Sequence, residues 1–183
     1  MTIIIYLIGK PGTGKYTIAK ELANAGYIIC DNQLINNPIF ALLNYDGCSK
    51  IPEYAWNIIA KIRKHVIDFI TQETANNYVL TNCLAENEGD RRLFNQVKAI
   101  AQKRGALFLP VKLLIEAEEH LKRITNPSRR ERWKSIDIGD VYSSEPLLVI
   151  NHPNLLQLDV TNLSAENVAE KILLFAEERK MNK

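Results

Sequence analysis

Apolar residues follow two patterns along this chain: short runs that are apolar throughout, and longer stretches where they recur every three or four positions. Ile3-Ile4-Ile5-Tyr6-Leu7-Ile8 is of the first kind, the pattern of a parallel strand buried on both faces. Over residues 14–25 the period becomes helical, with Ile18, Leu22 and Ala25 on one face and Gly26 placed to end the helix. Residues 27–30 read as a second strand. Pro38 suits the first turn of a helix that carries Phe40, Leu42 and Leu43 toward the turn signal Asp46-Gly47. Pro52 opens a long helix to about Ala75, where Trp56, Ile59, Arg63, Val66, Ile67 and Ile70 are spaced by three and four, and this spacing places Trp56 in the core. Tyr78-Val79-Leu80-Thr81 is a third strand, residues 90–103 a helix ended by Gly105, residues 106–114 a fourth strand and residues 116–124 a further helix. Residues 126–137 are polar, basic and irregular. Residues 155–160 form a fifth strand, and Ser164 caps a last helix with Val168, Ile172 and Phe175 inward. Residues 179–183 read as a loose tail.

Five strands separated by helices imply an α/β fold, a five-stranded parallel sheet in a three-layer α/β/α arrangement, and right-handed crossovers leave few topologies for it. The length of 183 residues fits a single domain, 1–183, and no repeat or linker divides it. A hydrophobic content of 46%, a charged content of 24% and a net charge of +2 exclude a field acting over the whole molecule, so any basic chemistry is local. Cys30, Cys48 and Cys83 are too few and too scattered for a disulfide framework or a zinc site, and Cys30 and Cys83 read as small core residues within strand-like runs. The first apolar run is too short for a signal peptide or a membrane span, which points to a cytoplasmic protein with no membrane partner. The sequon at Asn162 is read as accidental. His65, His120 and His152 have no partner in the sequence, and His120 is expected to be exposed.

The chemistry is concentrated after the first strand. Gly9-Lys10-Pro11-Gly12-Thr13-Gly14-Lys15 meets the pattern G-x-x-x-x-G-K, with a strand before it and a helix after it. Glycines let the backbone turn sharply and aim N–H groups inward, the helix presents its positive end to phosphates, and Lys15 adds a full charge near the β- and γ-phosphates. Gly9, Pro11, Gly12, Thr13, Gly14, Lys15, Tyr16 and Thr17 are therefore the expected nucleotide-binding segment, with Lys10 a solvated side chain and Pro11 a stiff turn. The position after Lys15 ordinarily carries a short hydroxyl that reaches Mg²⁺, and here it is Tyr16, followed by Thr17. Either Mg²⁺ is held through water and a carboxylate, or Thr17 compensates, or the metal site is weakened. Thr17 and Asp31 are the candidate metal contacts.

Asp31 follows the second strand, where ligands gather in parallel sheets, and can take the proton of an attacking hydroxyl or hold a metal-bound water. The plainer alternative is a helix cap. Asn32, Thr81 and Asn82 stand at the ends of the second and third strands, as substrate contacts or as turn formers. Arg123, Arg129, Arg130 and Arg132 put four arginines into ten residues between the fourth and fifth strands, as a closing lid over a transferring phosphoryl or as a solvated or RNA-contacting face. Arg63 is the only arginine between residues 31 and 80, which suits a neutral acceptor or a single carboxylate better than a phosphorylated one.

Taken together, the loop, Asp31 and the arginine-rich segment resemble the P-loop small-molecule kinases, a group that includes shikimate kinase, gluconate kinase and chloramphenicol phosphotransferase. The resemblance covers nearly the whole chain, though only the loop is highly specific. It implies a P-loop NTPase of the nucleoside-monophosphate-kinase-like kind, with a substrate-binding helical region at about 32–75 and a helical lid at about 123–140. It implies that Asp31 contacts or deprotonates the acceptor hydroxyl, that Arg129, Arg130 or Arg132 is the catalytic lid arginine beside Lys15, and that Asp159, Val160 and Thr161 border adenine. A shikimate kinase would carry a glycine triplet where Thr81-Asn82-Cys83-Leu84 stands and a second acidic residue where Asn32 and Gln33 stand, so shikimate is not the expected acceptor.

The expected activity is a phosphotransferase using ATP and Mg²⁺, moving the γ-phosphoryl to a hydroxyl on a small molecule, in a monomer or homodimer. A nucleotide-binding regulatory protein with weak turnover is the first alternative, supported by Tyr16. A kinase acting on a nucleotide or nucleic-acid end is the second, supported by the basic segment, although the near-neutral charge makes nucleic acid an unlikely partner. No N-K-x-D motif supports a GTPase.

Overall fold

The computed structural model describes residues 1–181, and Asn182 and Lys183, the end of the expected tail, lie outside the described residues. Strands β1 (Ile3–Ile8), β2 (Tyr27–Cys30), β3 (Asn77–Asn82), β4 (Leu107–Leu114) and β5 (Leu156–Asp159) form one sheet in the order β2-β3-β1-β4-β5. All four pairings are parallel, and Ile8 is in register with Asn82 on one side and Lys112 on the other. The fully apolar sequence of β1 follows from its central position. Ile4, Tyr6 and Ile8 face one core, while Ile3, Ile5 and Leu7 face the other. Each such aliphatic side chain contributes about 1.5–3 kcal/mol on burial. Tyr6 is fully buried, so its hydroxyl needs a partner and donates to Asn82 Oδ1 at 3.0 Å.

Helices α1 (Lys15–Asn24) and α7 (Ala165–Met181) cover the face of Ile3, Ile5 and Leu7, packing Ile18, Leu22, Val168 and Ile172 on the sheet. Helices α2 (Asn32–Leu42), α3 (Glu53–Gln72) and α4 (Glu88–Arg104) cover the other. Short helices α5 (Ala117–Ile124) and α6 (Gly139–Tyr142) flank a 3₁₀ turn at Pro127–Arg132, so the segment expected to be irregular holds one short helical piece. From β1 the chain crosses toward β2, and from β3 it crosses the opposite way to β4. The carboxyl ends of β1 and β3 therefore border a crevice, as parallel sheets provide at a reversal of strand order. Gly9 N donates to Asn82 O at 3.2 Å across that seam.

The structure corrects several expectations. Helix α2 starts at Asn32, not near Pro38, because Asp31 caps it through a hydrogen bond from Leu34 N to Oδ1 (3.0 Å). Pro38 lies inside α2 on its exposed side, where water can serve the carbonyl that loses its partner. Ala25 is exposed, and Ala19 takes the inward position beside Ile18 and Leu22. Trp56 is 43% exposed, because α3 rotates Ala55 and Ile59 inward and leaves Trp56 edge-on to Phe40. Cys83 is exposed, since β3 ends at Asn82, whereas Cys30 is buried and burial pushes its thiol up to about 12. Residues 179–181 continue α7 and are not a tail. Among the described residues no helix is long and apolar enough to cross a membrane.

Candidate active site

The loop after β1 is held by close approaches that exclude larger residues. A Cβ on Gly9 would lie 2.8 Å from Thr13 Oγ1 and 3.0 Å from Leu113 O. Gly12 has φ +93°, and a Cβ there would meet the His120 ring at 3.1 Å. Gly14 is the N-cap of α1, no side chain caps that helix, and its first turn carries no acidic residue. The first amides of α1 therefore lack the partner that a capping side chain would provide, the arrangement that suits an anion at a helix N-terminus.

Lys15 folds back over its own loop. Its Nζ donates to Gly9 O at 2.5 Å and to Lys10 O at 2.8 Å, and burial draws its pKa down to about 8. Thr13 is buried and donates to Lys10 O at 2.9 Å, fixing the turn from within. Lys10 is not a free solvated side chain, because its Nζ donates to Ser143 O at 3.0 Å. His120 is 2% exposed rather than exposed. It lies beneath the loop with Nε2 2.5 Å from Pro11 O, which requires the proton on Nε2, and burial holds its pKa below the ordinary value. No pattern in the chain signals this contact, since residues 11 and 120 meet only through the packing of α5.

The loop opens onto a cavity of about 620 Å³. Its floor is the first turn of α1, one wall is the start of α2 with Thr81 and Asn82 from β3, and the opposite wall is the basic segment. Asp31 is 4% exposed and does two things at once: Oδ1 caps α2, and Oδ2 accepts from Arg132 at 3.3 Å. Asp31 is thus the helix cap of the plainer sequence reading, and its second oxygen pairs with Arg132 at the cavity. Asn32 is tied into a polar network, accepting from Asn82 Nδ2 at 2.9 Å and from Arg63 at 3.1 Å while its own N donates to Thr81 Oγ1 at 3.1 Å. Arg63 also donates to Asn36 Oδ1 at 3.2 Å and does not line this cavity, so it stands behind the wall and not on it.

Tyr16 has found a different use for the position that a short hydroxyl would fill. The Arg132 guanidinium carbon lies 3.6 Å from the Tyr16 ring centroid, Lys134 Nζ 4.4 Å and Lys20 Nζ 5.7 Å. The Lys134 ammonium is drawn down to about 8, first by burial and then by Arg132 and Arg129. Thr17 is exposed and shares the cavity with Asp31. Arg129 is turned into its own segment, donating from Nε and a terminal nitrogen to Ser135 O at 2.9 and 2.7 Å, yet it still borders the cavity. Arg130 is exposed and outside the cavity wall. Asp159, Val160 and Thr161 are also off the wall, and join the site through Arg123, which donates to Val160 O at 2.9 Å and Thr161 O at 3.0 Å. Arg123, counted in the basic segment from sequence but given no individual role, lines the cavity, as do Lys20 and Lys134, which the sequence reading left unassigned. Among the described residues no group of three or more His, Cys, Asp or Glu side chains could hold a metal by itself.

No protein-family model matches the chain, and no curated protein matches it. Solved structures do. A sugar kinase from a Janibacter species aligns with a TM-score of 0.64 at 14% identity, over 97% of this chain and 95% of that one. The APS kinase of Mycobacterium tuberculosis, solved with AMPPNP and APS, aligns with a TM-score of 0.59 at 14% identity, over 96% and 98%. The shikimate kinase of Acinetobacter baumannii, solved with shikimate, aligns with a TM-score of 0.56 at 18% identity, over 98% and 96%. At these identities the likeness is one of fold, and the chain has the α/β/α fold of the P-loop small-molecule kinases.

Proposed function

We propose that this protein is an ATP-dependent phosphotransferase that moves the γ-phosphoryl to a hydroxyl of a small molecule. The observation that carries this reading is the meeting of three elements on one cavity: an uncapped helix N-terminus with Lys15, the buried carboxylate Asp31, and the guanidinium of Arg132. The first binds polyphosphate, the second handles a hydroxyl proton, and the third stabilises charge on the transferring oxygens. We read the chain as one domain, 1–183, with residues 32–75 as the acceptor-binding region and residues 123–140 as a lid.

In this scheme Lys15 leaves the carbonyls of Gly9 and Lys10 when anionic oxygens arrive, and exchanges two backbone acceptors for the β- and γ-phosphates. Asp31 turns from Arg132 toward the acceptor hydroxyl and takes its proton. The acceptor oxygen forms the new bond to the γ-phosphorus while the bond from that phosphorus to the β,γ-bridging oxygen breaks, and ADP leaves with the electron pair. Arg132, released from Asp31 and still seated on Tyr16, is placed to follow the equatorial oxygens. Arg123 joins the loop side to the Asp159–Thr161 turn, where adenine would rest. Mg²⁺ is ordinarily held in such sites by one or two carboxylates, substrate phosphates and water. Thr17 and Asp31 share the cavity wall and fit that sparse donor set. When bound, the ion would neutralise phosphate charge.

Acceptor-stimulated ADP release, measured over a panel of hydroxyl compounds in the wild type and Lys15→Ala, tests the proposal. The wild type should turn over and the variant should not. Tyr16 and the Arg132–Asp31 pair favour one other reading, a nucleotide-binding regulatory protein. Tight nucleotide binding with no acceptor able to raise turnover would select it.

A further inference from the structure

The cavity is divided by charge along its elements, and this division names the acceptor's class. The cationic side chains that border it come from the loop, from α1, or from the stretch between Arg123 and Lys134. The wall built by α2, the loop after it and the start of α3 brings no lysine or arginine to the cavity. It brings Asp31, the carboxamides of Asn32, Gln33 and Asn36, and an aromatic face. In that face Phe40 packs on Tyr45 with ring centroids 4.9 Å apart and meets Trp56 edge-on at 5.8 Å.

Two details sharpen the reading. Arg63 is the α3 cation that could have served an anionic acceptor, but it stands behind the wall and donates to the amide oxygens of Asn32 and Asn36. A half-buried guanidinium that stands off this cavity and gives a terminal nitrogen to neutral oxygens offers a carboxylate nothing on the cavity side. Gln33 lines the cavity, and its Oε1 is buried with no hydrogen-bond partner. A buried oxygen of this kind is costly unless a donor reaches it. The group that satisfies it must bring an O–H or N–H, which a carboxylate or phosphate does not.

We infer that the acceptor is an uncharged, multiply hydrogen-bonding alcohol with a flat ring face, of the kind presented by an aryl glycoside or an unphosphorylated nucleoside. Its donor groups meet Gln33 and the neighbouring carboxamides, its ring lies against Trp56, Tyr45 and Phe40, and its reacting hydroxyl faces Asp31. The inference rests on the kinase reading and narrows it, since a wall without a cation gives the charged group of a sugar acid or sugar phosphate no counter-charge.

The test uses the full-length protein and matched probes: phenyl β-D-glucoside, methyl β-D-glucoside, phenyl β-D-glucuronide, uridine and uridine 5′-monophosphate. Two readouts are taken on each. One is ADP release above the acceptor-free rate. The other is the ¹⁹F shift of 5-fluorotryptophan at position 56, assigned by the loss of its resonance in Trp56→Phe. The neutral ring-bearing probes should move the Trp56 resonance and raise turnover at least tenfold more than their anionic or ring-free counterparts. Trp56→Ala should erase that preference, and Trp56→Phe should restore it. A preference for phenyl glucuronide or uridine 5′-monophosphate, or no response from either neutral ring-bearing probe, overturns the inference. The kinase reading fails separately, if Lys15→Ala binds nucleotide as the wild type does.

Discussion

The two ends of the cavity are built on opposite principles. The phosphate end is made from one contiguous stretch, residues 9–17, whose groups are mostly backbone amides held by glycine geometry. The acceptor wall is assembled from α2, β3, the loop after α2 and α3, and its groups are side chains that hold one another in place. On the kinase reading proposed above, the first end would meet charge wherever it is carried and the second would select shape and donor pattern, and the two sets of residues barely overlap.

Four changes would break or sharpen that contrast. Lys15→Ala removes the charge that folds back over the loop and should lower kcat/KM for ATP by about a hundredfold or more, read from ADP release. Asp31→Asn keeps the size of the side chain and its cap on α2 but removes the proton acceptor. Its kcat should fall by about 10²–10⁴-fold with the nucleotide affinity retained, and an unchanged kcat would remove Asp31 from the chemistry. Asp31→Ala should add about 1 kcal/mol of destabilisation through the lost cap, visible in the denaturation midpoint.

Tyr16 is the point where the phosphate end meets the basic segment. Tyr16→Ser restores the short hydroxyl but removes the seat for Arg132 and Lys134, and a partly desolvated cation–π contact contributes about 1–2 kcal/mol. The basic segment should then be cleaved faster by trypsin, while Tyr16→Phe leaves cleavage unchanged. If the serine variant also becomes more active with Mg²⁺, Tyr16 is a substitution that trades metal contact for lid placement.

The mildest perturbation is pH. Lys15 and Lys134 have their pKa values lowered to about 8, first by burial in each case. Both lose charge as pH rises through 8, so the ATP Kd should weaken above that point by up to about tenfold per unit for each of the two that meets phosphate. Stability moves the other way. The unfolded lysines hold their protons up to about 10.5, so unfolding takes up protons between about 8 and 10.5 and the nucleotide-free protein gains stability across that window. Parallel melting and titration series between pH 7 and 10 would show the two trends crossing.

The sequence determined what depends on near neighbours. The alternation of apolar runs with helical periods set the five strands and their parallel arrangement, because a strand buried on both faces must be apolar at every position. The glycines, Lys15 and the helix that follows form one local unit, legible from residues 9–17 alone. Tertiary structure decided what depends on where distant segments land. It placed His120 under Pro11, set Arg63 behind its wall and not on it, turned Trp56 outward and left Arg130 outside while bringing in Arg123 and Lys134. Sequence spacing fixes which face of a helix a residue occupies only to within the rotation that packing chooses, and a rotation of one residue exchanges a core position for a cavity wall. Tyr16 belongs to both lists: its departure from the loop pattern is plain in the sequence, and its purpose appears only when Arg132 is seen lying on the ring.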